Sequence, residues 1–529
     1  MALAYRVVDR DQQFLMPPDM REWLPADHLV WFLLETLGEL DTSVFHTRHA
    51  NDGVGRAAYD PDMLLALLVY GYCRGVRSSR AMERLCGVDV AFRVVCAGDI
   101  PDHSTIARFR AVHEDVFSSV FTQVLAVAAR AGLAWFGTVA IDGTKIAANA
   151  SLDANRGAEW LRAEVEAIVA EAAATDAAED AAHGPARGDE MPEELRTPGP
   201  RAARIAAAAA ELAAETAAAA ERAAAADAEA ERVAADRLAR LAAGEKVAGR
   251  YPRGADRVAE ATARLEALVA AQDAKIEAFA DRVAAPIAAG RPGPDGRAPT
   301  PTDRCRHIAK AREAVAAARA HVEAPRQGAE AEPVRVNLTD PASRVMPTRK
   351  GWIQGYNAQL AVTADQIIVA VGLGQNPADT GAFLPMMRAA QDAADAAARI
   401  TGSPDQTIGT VLADAGYPSQ DNLTAPGPDR LIALGKTREV DKAAATRPAV
   451  GEPPAGATAR EVMDHRLRTA EGAALYKRRG ATVEPGIGNL KKILDRFSRR
   501  GLAAATSELH LAAAAANLLK IHRVSPVAA

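Results

Sequence analysis

Hydrophobic positions recur with a helical period through residues 1–132, and this pattern predicts a run of helices. Asp60 followed by Pro61 supplies an N-cap and a first-turn proline for a helix that Gly75 ends. Further helices are predicted over 80–96 and from Pro101 to about Ala128. This part of the chain is therefore expected to be all-helical.

The pattern changes to short apolar runs after Trp135. Strands are predicted at 135–141, 356–363, 367–373, 407–413 and 431–434, helices at 379–396, 482–497 and 503–521, and a loose loop with one short helix at 438–475. Strands and helices in this order predict a mixed α/β layered domain.

A long alanine-rich segment, residues 156–328, separates the first predicted strand from the second. Within residues 201–240, 22 of the 40 positions are alanine, which is the strongest helix former. Breaks are predicted at 196–200, 251–254 and 291–296, where proline and glycine cluster. Because the apolar seam is thin, we expect a helical hairpin or coiled-coil-like insertion that projects from a catalytic domain split in sequence.

Composition and charge limit the classes of protein that fit. The net charge of −5 excludes a uniformly basic nucleic-acid coat, although residues 476–500 contain eight basic and two acidic residues. The four cysteines have no zinc-ligand spacing and are predicted to be free thiols. The N-terminus lacks a signal-peptide core, and the longest strongly apolar run, 63–73, is too short to cross a bilayer, which predicts a cytoplasmic protein.

Three acids are candidates for metal chemistry. Asp142 and Asp414 each end a predicted buried strand that turns at once through glycine, and Glu484 opens a predicted basic helix. Asp-Gly after a strand is also an ordinary turn, and a glutamate at a helix start also favours the helix dipole. Lys491 follows Glu484 by two helical turns and shares its face. Together the three carboxylates could hold two hard cations.

Arginines cluster at the junctions of the N-terminal helices. Their positions are 74, 77, 80, 84, 93, 108 and 110. Short helices with arginine at their junctions are typical of a helix-turn-helix-like reader of DNA, for which Arg80 and Arg108 are candidates. An ordinary helical bundle with a charged surface explains the same pattern.

These segments resemble the DDE transposases of bacterial insertion sequences, in the branch with a Tyr-Arg-Glu-Lys signature. The resemblance covers residues 10–150 and 330–525 and rests on segments 60–80, 101–110 and 355–359 together with the three acids. In that family three residues separate the arginine from the glutamate, whereas four separate Arg479 from Glu484 here.

The resemblance implies a ribonuclease-H-like mixed-sheet catalytic domain over 133–155 and 329–525, behind an N-terminal helical DNA-binding domain over 1–132. It implies two Mg²⁺ ions, with Mn²⁺ as a substitute, bound by Asp142, Asp414 and Glu484. Tyr476, Arg479, Lys491 and Lys492 would contact DNA. The expected partners are double-stranded DNA at the element ends and the target, and a second copy of the chain in the DNA complex.

The expected activity is hydrolysis at the ends of an insertion sequence, after binding of its terminal inverted repeats, and joining of the 3′-hydroxyl to target DNA. Two alternatives remain open. One is a ribonuclease-H-fold nuclease without strand transfer. The other is a non-catalytic DNA-binding or coiled-coil protein, for which the acids would be dispensable.

Overall fold

A computed structural model describes residues 19–47, 58–183, 200–243, 245, 247, 257–288, 298–323 and 334–524. The predicted breaks at 251–254 and 291–296 lie outside these residues, as do residues 196–199 of the break predicted at 196–200 and the N-terminus up to residue 18. The chain forms two compact units, one of residues 1–208 with 336–529 and the other of residues 209–335.

The first unit contains a mixed six-stranded sheet. Its main path runs β4, β5, β1, β7, β8, and β6 pairs with β5 beside β4. β1 is antiparallel to β5 and parallel to β7, which is in turn parallel to β8. The strands are β1 (Thr138–Ala147), β4 (Arg344–Thr348), β5 (Gly351–Thr363), β6 (Ile368–Gly374), β7 (Thr410–Ala413) and β8 (Asp429–Ile432); the short β2 (Asn155–Arg156) and β3 (Val336–Asn337) pair separately. The predicted mixed α/β layer is confirmed.

Helices of the first unit precede and follow the strands. They are α1 (Leu29–Gly38), α2 (Ser43–His46), α3 (Pro61–Cys73), α4 (Ser79–Val88), α5 (Val90–Val95), α6 (His103–Val112), α7 (Phe117–Arg130), α8 (Ala158–His183), α12 (Phe383–Thr401), α13 (Gln420–Thr424), α14 (Thr437–Thr446), α15 (Ala459–Arg468), α16 (Ala470–Ile493) and α17 (Leu502–Val524). α17 packs against α3, α7 and β6, and α12 packs against α7 and β6. The N-terminal helices and the sheet therefore share one hydrophobic core.

Two element boundaries that matter for the site differ from the sequence prediction. β1 does not end at Asp142, because its pairing with β5 continues to Ala147. Glu484 does not open a helix, because α16 begins at Ala470, where the N-cap hydroxyl of Thr469 accepts a hydrogen bond from the backbone N–H of Gly472. The predicted loop at 438–475 contains α14, α15 and the first turns of α16.

The second unit consists of long helices, as the alanine content predicts. It includes most of α9 (Pro200–Ala242), together with α10 (Arg257–Ala288) and α11 (Arg306–Glu323). Inside it, the guanidinium of Arg237 lies 2.7 Å from the carboxylate of Glu260, and both side chains are buried. Among the residues of this unit that the structure describes, only a few apolar side chains are buried, Leu241 and Ile308 among them, so the described core is thin.

One described helix, α17, is long and apolar enough to cross a membrane, but most of it is buried inside the molecule. Its buried residues belong to the core of the first unit.

Candidate active site

The central parallel strand pair brings Asp142 and Asp414 together. β1 and β7 pair in register from Thr138 opposite Thr410 to Ile141 opposite Ala413. The next residue of each strand is an aspartate. Because side chains of parallel neighbours in register point to the same face, the two carboxylates lie side by side where β7 ends. They are 272 residues apart in sequence.

Arg479 supplies the positive charge next to this pair. Its guanidinium donates to Oδ2 of Asp142 at 3.0 Å, and the backbone N–H of Gly143 donates to Oδ1 at 2.8 Å. Burial raises the pKa of Asp142; Arg479 lowers it in part, and the neighbouring Asp414 raises it further. Burial alone would lower the pKa of Arg479, but the charge of Asp142 raises it. Asp142 and Asp414 are therefore two half-buried carboxylates whose negative charges lie close together.

Glu484 does not join the two aspartates in this structure. It lies five residues after Arg479 on the continuous helix α16, and at 3.6 residues per turn this spacing turns the two side chains about 140° apart. Arg479 faces Asp142, so Glu484 points away, and its side chain is exposed. The shorter family spacing would give only about 40°; that position is held by the buried Val483.

Tyr476 is part of the protein interior rather than an exposed DNA contact. Its side chain is 3% exposed, and burial raises its pKa. It is hydrogen bonded to Arg479. Tyr476 therefore contacts Arg479, and Arg479 contacts Asp142. The helix that carries both residues, α16, packs against β1 and β5.

A third aspartate, which the sequence reasoning did not single out, lies beside the pair. Oδ1 of Asp379 accepts three hydrogen bonds: from Lys145 Nζ at 3.1 Å, Asn357 Nδ2 at 2.7 Å and Gln359 Nε2 at 2.8 Å. Asn357 and Gln359 are buried on β5. Two polar residues at alternate positions of a buried strand were the only sequence signal for this cluster.

Tyr417 lies between this cluster and the two aspartates, Asp142 on β1 and Asp414 after β7. Its hydroxyl donates to Oε1 of Gln359, and the side chain is fully buried. Burial raises its pKa, and the charges of Asp379, Asp142 and Asp414 raise it further. All three aspartates are therefore close enough to the Tyr417 phenol for their charges to disfavour its ionisation.

The remaining predicted DNA contacts lie at the surface. Arg80, Arg108, Lys491 and Lys492 are exposed. Partial desolvation of its ammonium lowers the pKa of Lys491 although the side chain as a whole is exposed. Lys492 lines a cavity with three other cationic residues, Arg74, Lys520 and Arg523. Two of the other N-terminal arginines are structural instead: Arg77 is paired with Asp495 and Glu508, and Arg110 donates to the carbonyl of Arg77.

Adjacent carboxylates on an α/β sheet define a class of site that offers oxygen ligands, which suit hard divalent cations. Comparison with known families agrees with such a site. Residues 18–112 match the family described as Transposase domain (DUF772), and residues 445–522 match Transposase DDE domain. The two matches support a DDE transposase, a metal-dependent enzyme that processes DNA.

The matched segments contain the N-terminal helices and the α15–α17 region, but neither contains β1 or β7. The assignment of Asp142 and Asp414 therefore depends on the geometry of the sheet. No curated protein and no solved structure matches the chain.

Proposed function

We propose that this protein is a DNA transposase that binds the terminal inverted repeats of an insertion sequence, hydrolyses the phosphodiester at each end and joins the 3′-hydroxyl to target DNA. The observation that carries the proposal is the strand register that sets Asp142 beside Asp414. A ribonuclease-H-like fold for the first unit is part of the proposal, supported by the mixed sheet with Asp142 on its central strand.

The residues at the site fit divalent metal ions. Two half-buried carboxylates of like charge repel each other, and Asp142 has a raised pKa for this reason and because of burial. A cation bound between them would relieve both costs, and carboxylate oxygens are ligands that Mg²⁺ and Mn²⁺ accept. Such ions, when bound, activate the attacking oxygen and stabilise the leaving one.

The chain's own side chains would organise the site around these acids. Arg479 pairs with Asp142, and a metal ion at Oδ2 would compete with its guanidinium, which could then meet a phosphate. Lys491 and the cavity containing Lys492 and Arg74 provide positive charge for the DNA backbone. Arg80 and Arg108 offer further cations on the exposed sides of α4 and α6. A homodimer on two element ends completes the proposal.

Glu484 enters this proposal as a residue that must move. Only a rotation or local unwinding of α16 brings its carboxylate toward Asp142. Pro485 has no N–H, so the helix lacks a hydrogen bond to the carbonyl of Ala481, and α16 is weakest beside Glu484. We propose that the DNA complex supplies the rearrangement.

Cleavage of a plasmid carrying the gene with its own flanking DNA tests the proposed function. With Mg²⁺ the wild-type protein should cut at the element ends and form joined products. Asp142→Asn and Asp414→Asn should reduce cutting at least about 1,000-fold while still binding the plasmid. Asp421→Asn, at an exposed position of α13, is the matched control and should cut normally. Normal cutting by either site variant would reject the proposal, and cutting without joining would favour the nuclease.

The role of Glu484 is tested by Glu484→Gln. Without DNA this variant should bind Mn²⁺ as the wild type does, because the side chain points away from Asp142. With DNA bound it should lose cleavage. Normal cleavage by Glu484→Gln would remove Glu484 from the catalytic acids and leave the roles of Asp142 and Asp414 untouched.

A further inference from the structure

The two carboxylate oxygens of Asp379 differ in the hydrogen bonds that they accept. All three of its donors, Lys145, Asn357 and Gln359, bind Oδ1. Among the hydrogen bonds of the described residues, none reaches Oδ2. Both oxygens of an ionised carboxylate can accept hydrogen bonds, so Oδ2 keeps its acceptor capacity. One oxygen is thus anchored and the other is available.

Glycines next to Asp142 and Asp414 leave room for the carboxylate of Asp379. A Cβ atom on Gly143, the residue after Asp142, would lie 2.6 Å from Oδ1 of Asp379. A Cβ on Gly416 would lie 3.3 Å from Oδ2 of Asp379 and 3.0 Å from Oδ1 of Asp414. The available oxygen of Asp379 and the carboxylate of Asp414 therefore border the same small space, which glycine keeps open.

The α16 helix does not provide a third carboxylate here, because Glu484 faces solvent. Asp379, in the segment before α12, provides a third carboxylate, and its side chain is 25% exposed. Lys145 offsets its charge from one side while the other side remains open toward Asp414.

We propose that Asp379 is a metal ligand of this site and binds a divalent ion through Oδ2 together with Asp414. Asn357, Gln359 and Lys145 are positioning residues that fix the carboxylate through Oδ1. This inference rests on the proposed function, since it assumes that Asp414 binds metal.

Mn²⁺ affinity measured by electron paramagnetic resonance, without DNA, tests the inference. Asp379→Asn should raise the Mn²⁺ Kd at least about tenfold, and Asp395→Asn, on an exposed position of α12, should leave it unchanged. Asn357→Ala removes one donor to Oδ1 but keeps the carboxylate, so it should raise Kd clearly less than Asp379→Asn does. Equal effects of the two variants, or an unchanged Kd in Asp379→Asn, would overturn the ligand role.

The two proposals fail in different ways. If Asp142→Asn and Asp414→Asn also bind Mn²⁺ normally, the proposed function fails; if they lose Mn²⁺ and Asp379→Asn keeps it, only this inference fails. Should Asp379→Asn not fold, a Mn²⁺-soaked crystal of the wild-type protein decides. An anomalous peak at roughly 2.1 Å from Oδ2 of Asp379 supports the inference, and a peak bound only by other residues overturns it.

Discussion

Arg479 forms a half-buried ion pair with Asp142, in which 12% of the Arg479 side chain and 19% of the Asp142 side chain are exposed. Removing the guanidinium leaves a half-buried carboxylate with the backbone N–H of Gly143 as its remaining hydrogen-bond donor and no positive charge beside it. We expect Arg479→Ala to lower the free energy of unfolding by about 1–3 kcal/mol in urea titrations without metal. Arg478→Ala, at the exposed neighbouring position, should change it by less than about 0.5 kcal/mol. Equal effects of the two substitutions would show that the ion pair contributes nothing.

The raised pKa of Asp142 predicts a pH dependence of stability. The folded protein binds a proton at this carboxyl more tightly than the unfolded chain, in which the pKa is near 3.8. The corresponding stability is present below the unfolded pKa and is lost as pH rises through the folded pKa. In EDTA, the unfolding free energy of the wild type minus that of Asp142→Asn should therefore fall as pH rises above about 4. A difference that stays constant or rises would contradict the assignment.

Single residues were predictable where an apolar strand pattern directly preceded them. Asp142 and Asp414 follow apolar runs, and those runs pair in the structure. Asp379 was not predictable in this way, because it is recognised as a site residue only by its hydrogen bonds. The donors are Lys145, 234 residues away, and two residues of β5. No local pattern reports contacts that long-range strand pairing creates.

At the scale of elements, α16 shows how a one-residue difference in spacing changes a site. The sequence predicts a helix that starts near Glu484, which would have put the glutamate at a free N-terminus. The capping by Thr469 starts the helix fourteen residues earlier. Because α16 is continuous, the angular position of each residue around the helix axis decides which side chains reach Asp142. Arg479 does, and Glu484 does not. The strands and the long alanine-rich helices were predictable because their patterns are local.

The insertion begins and ends at neighbouring backbone positions. In the ladder of β2 and β3, Asn155 pairs with Asn337 and Arg156 with Val336. Replacing residues 157–335 with Asn-Gly, which favours a two-residue type I′ turn, should therefore leave a folded protein that melts within about 5 °C of the wild type. The same deletion closed with Pro-Pro, which cannot form that turn, should fold less well. Residues 157–335 include α8 of the first unit as well as the second unit, so loss of cooperative melting in the Asn-Gly variant would show that the rest of the first unit needs this segment.

At the scale of the whole molecule, the N-terminal helices and the sheet belong to one compact unit. The sequence predicts an N-terminal DNA-binding domain over 1–132 apart from the catalytic domain. The structure instead packs α3 and α7 on α17 and joins them to the sheet in one core. The change from helical to strand periodicity near residue 133 marks a change of element, and periodicity alone contains no information about which elements share a core.

The basic surface predicts how the molecule holds DNA. Lys491→Ala should weaken binding to element-end DNA and to random DNA by similar factors, since a phosphate contact does not read sequence. It should also reduce the slope of log affinity against log salt by about 0.9. Lys442→Ala, at an exposed position of α14, is the control. A loss confined to the element's own ends would make Lys491 a base reader, and unchanged binding would return it to an ordinary solvated face.

The central claim is that Asp142 and Asp414 together hold the divalent ion on which DNA cleavage depends. Crystals of the wild-type protein soaked in Mn²⁺, with anomalous data collected at the manganese edge, test it most directly. We predict a peak bonded to carboxylate oxygens of both aspartates, with the guanidinium of Arg479 displaced from Oδ2 of Asp142. An Arg479–Asp142 ion pair that stays intact at saturating Mn²⁺, with no peak between the two aspartates, would contradict the account.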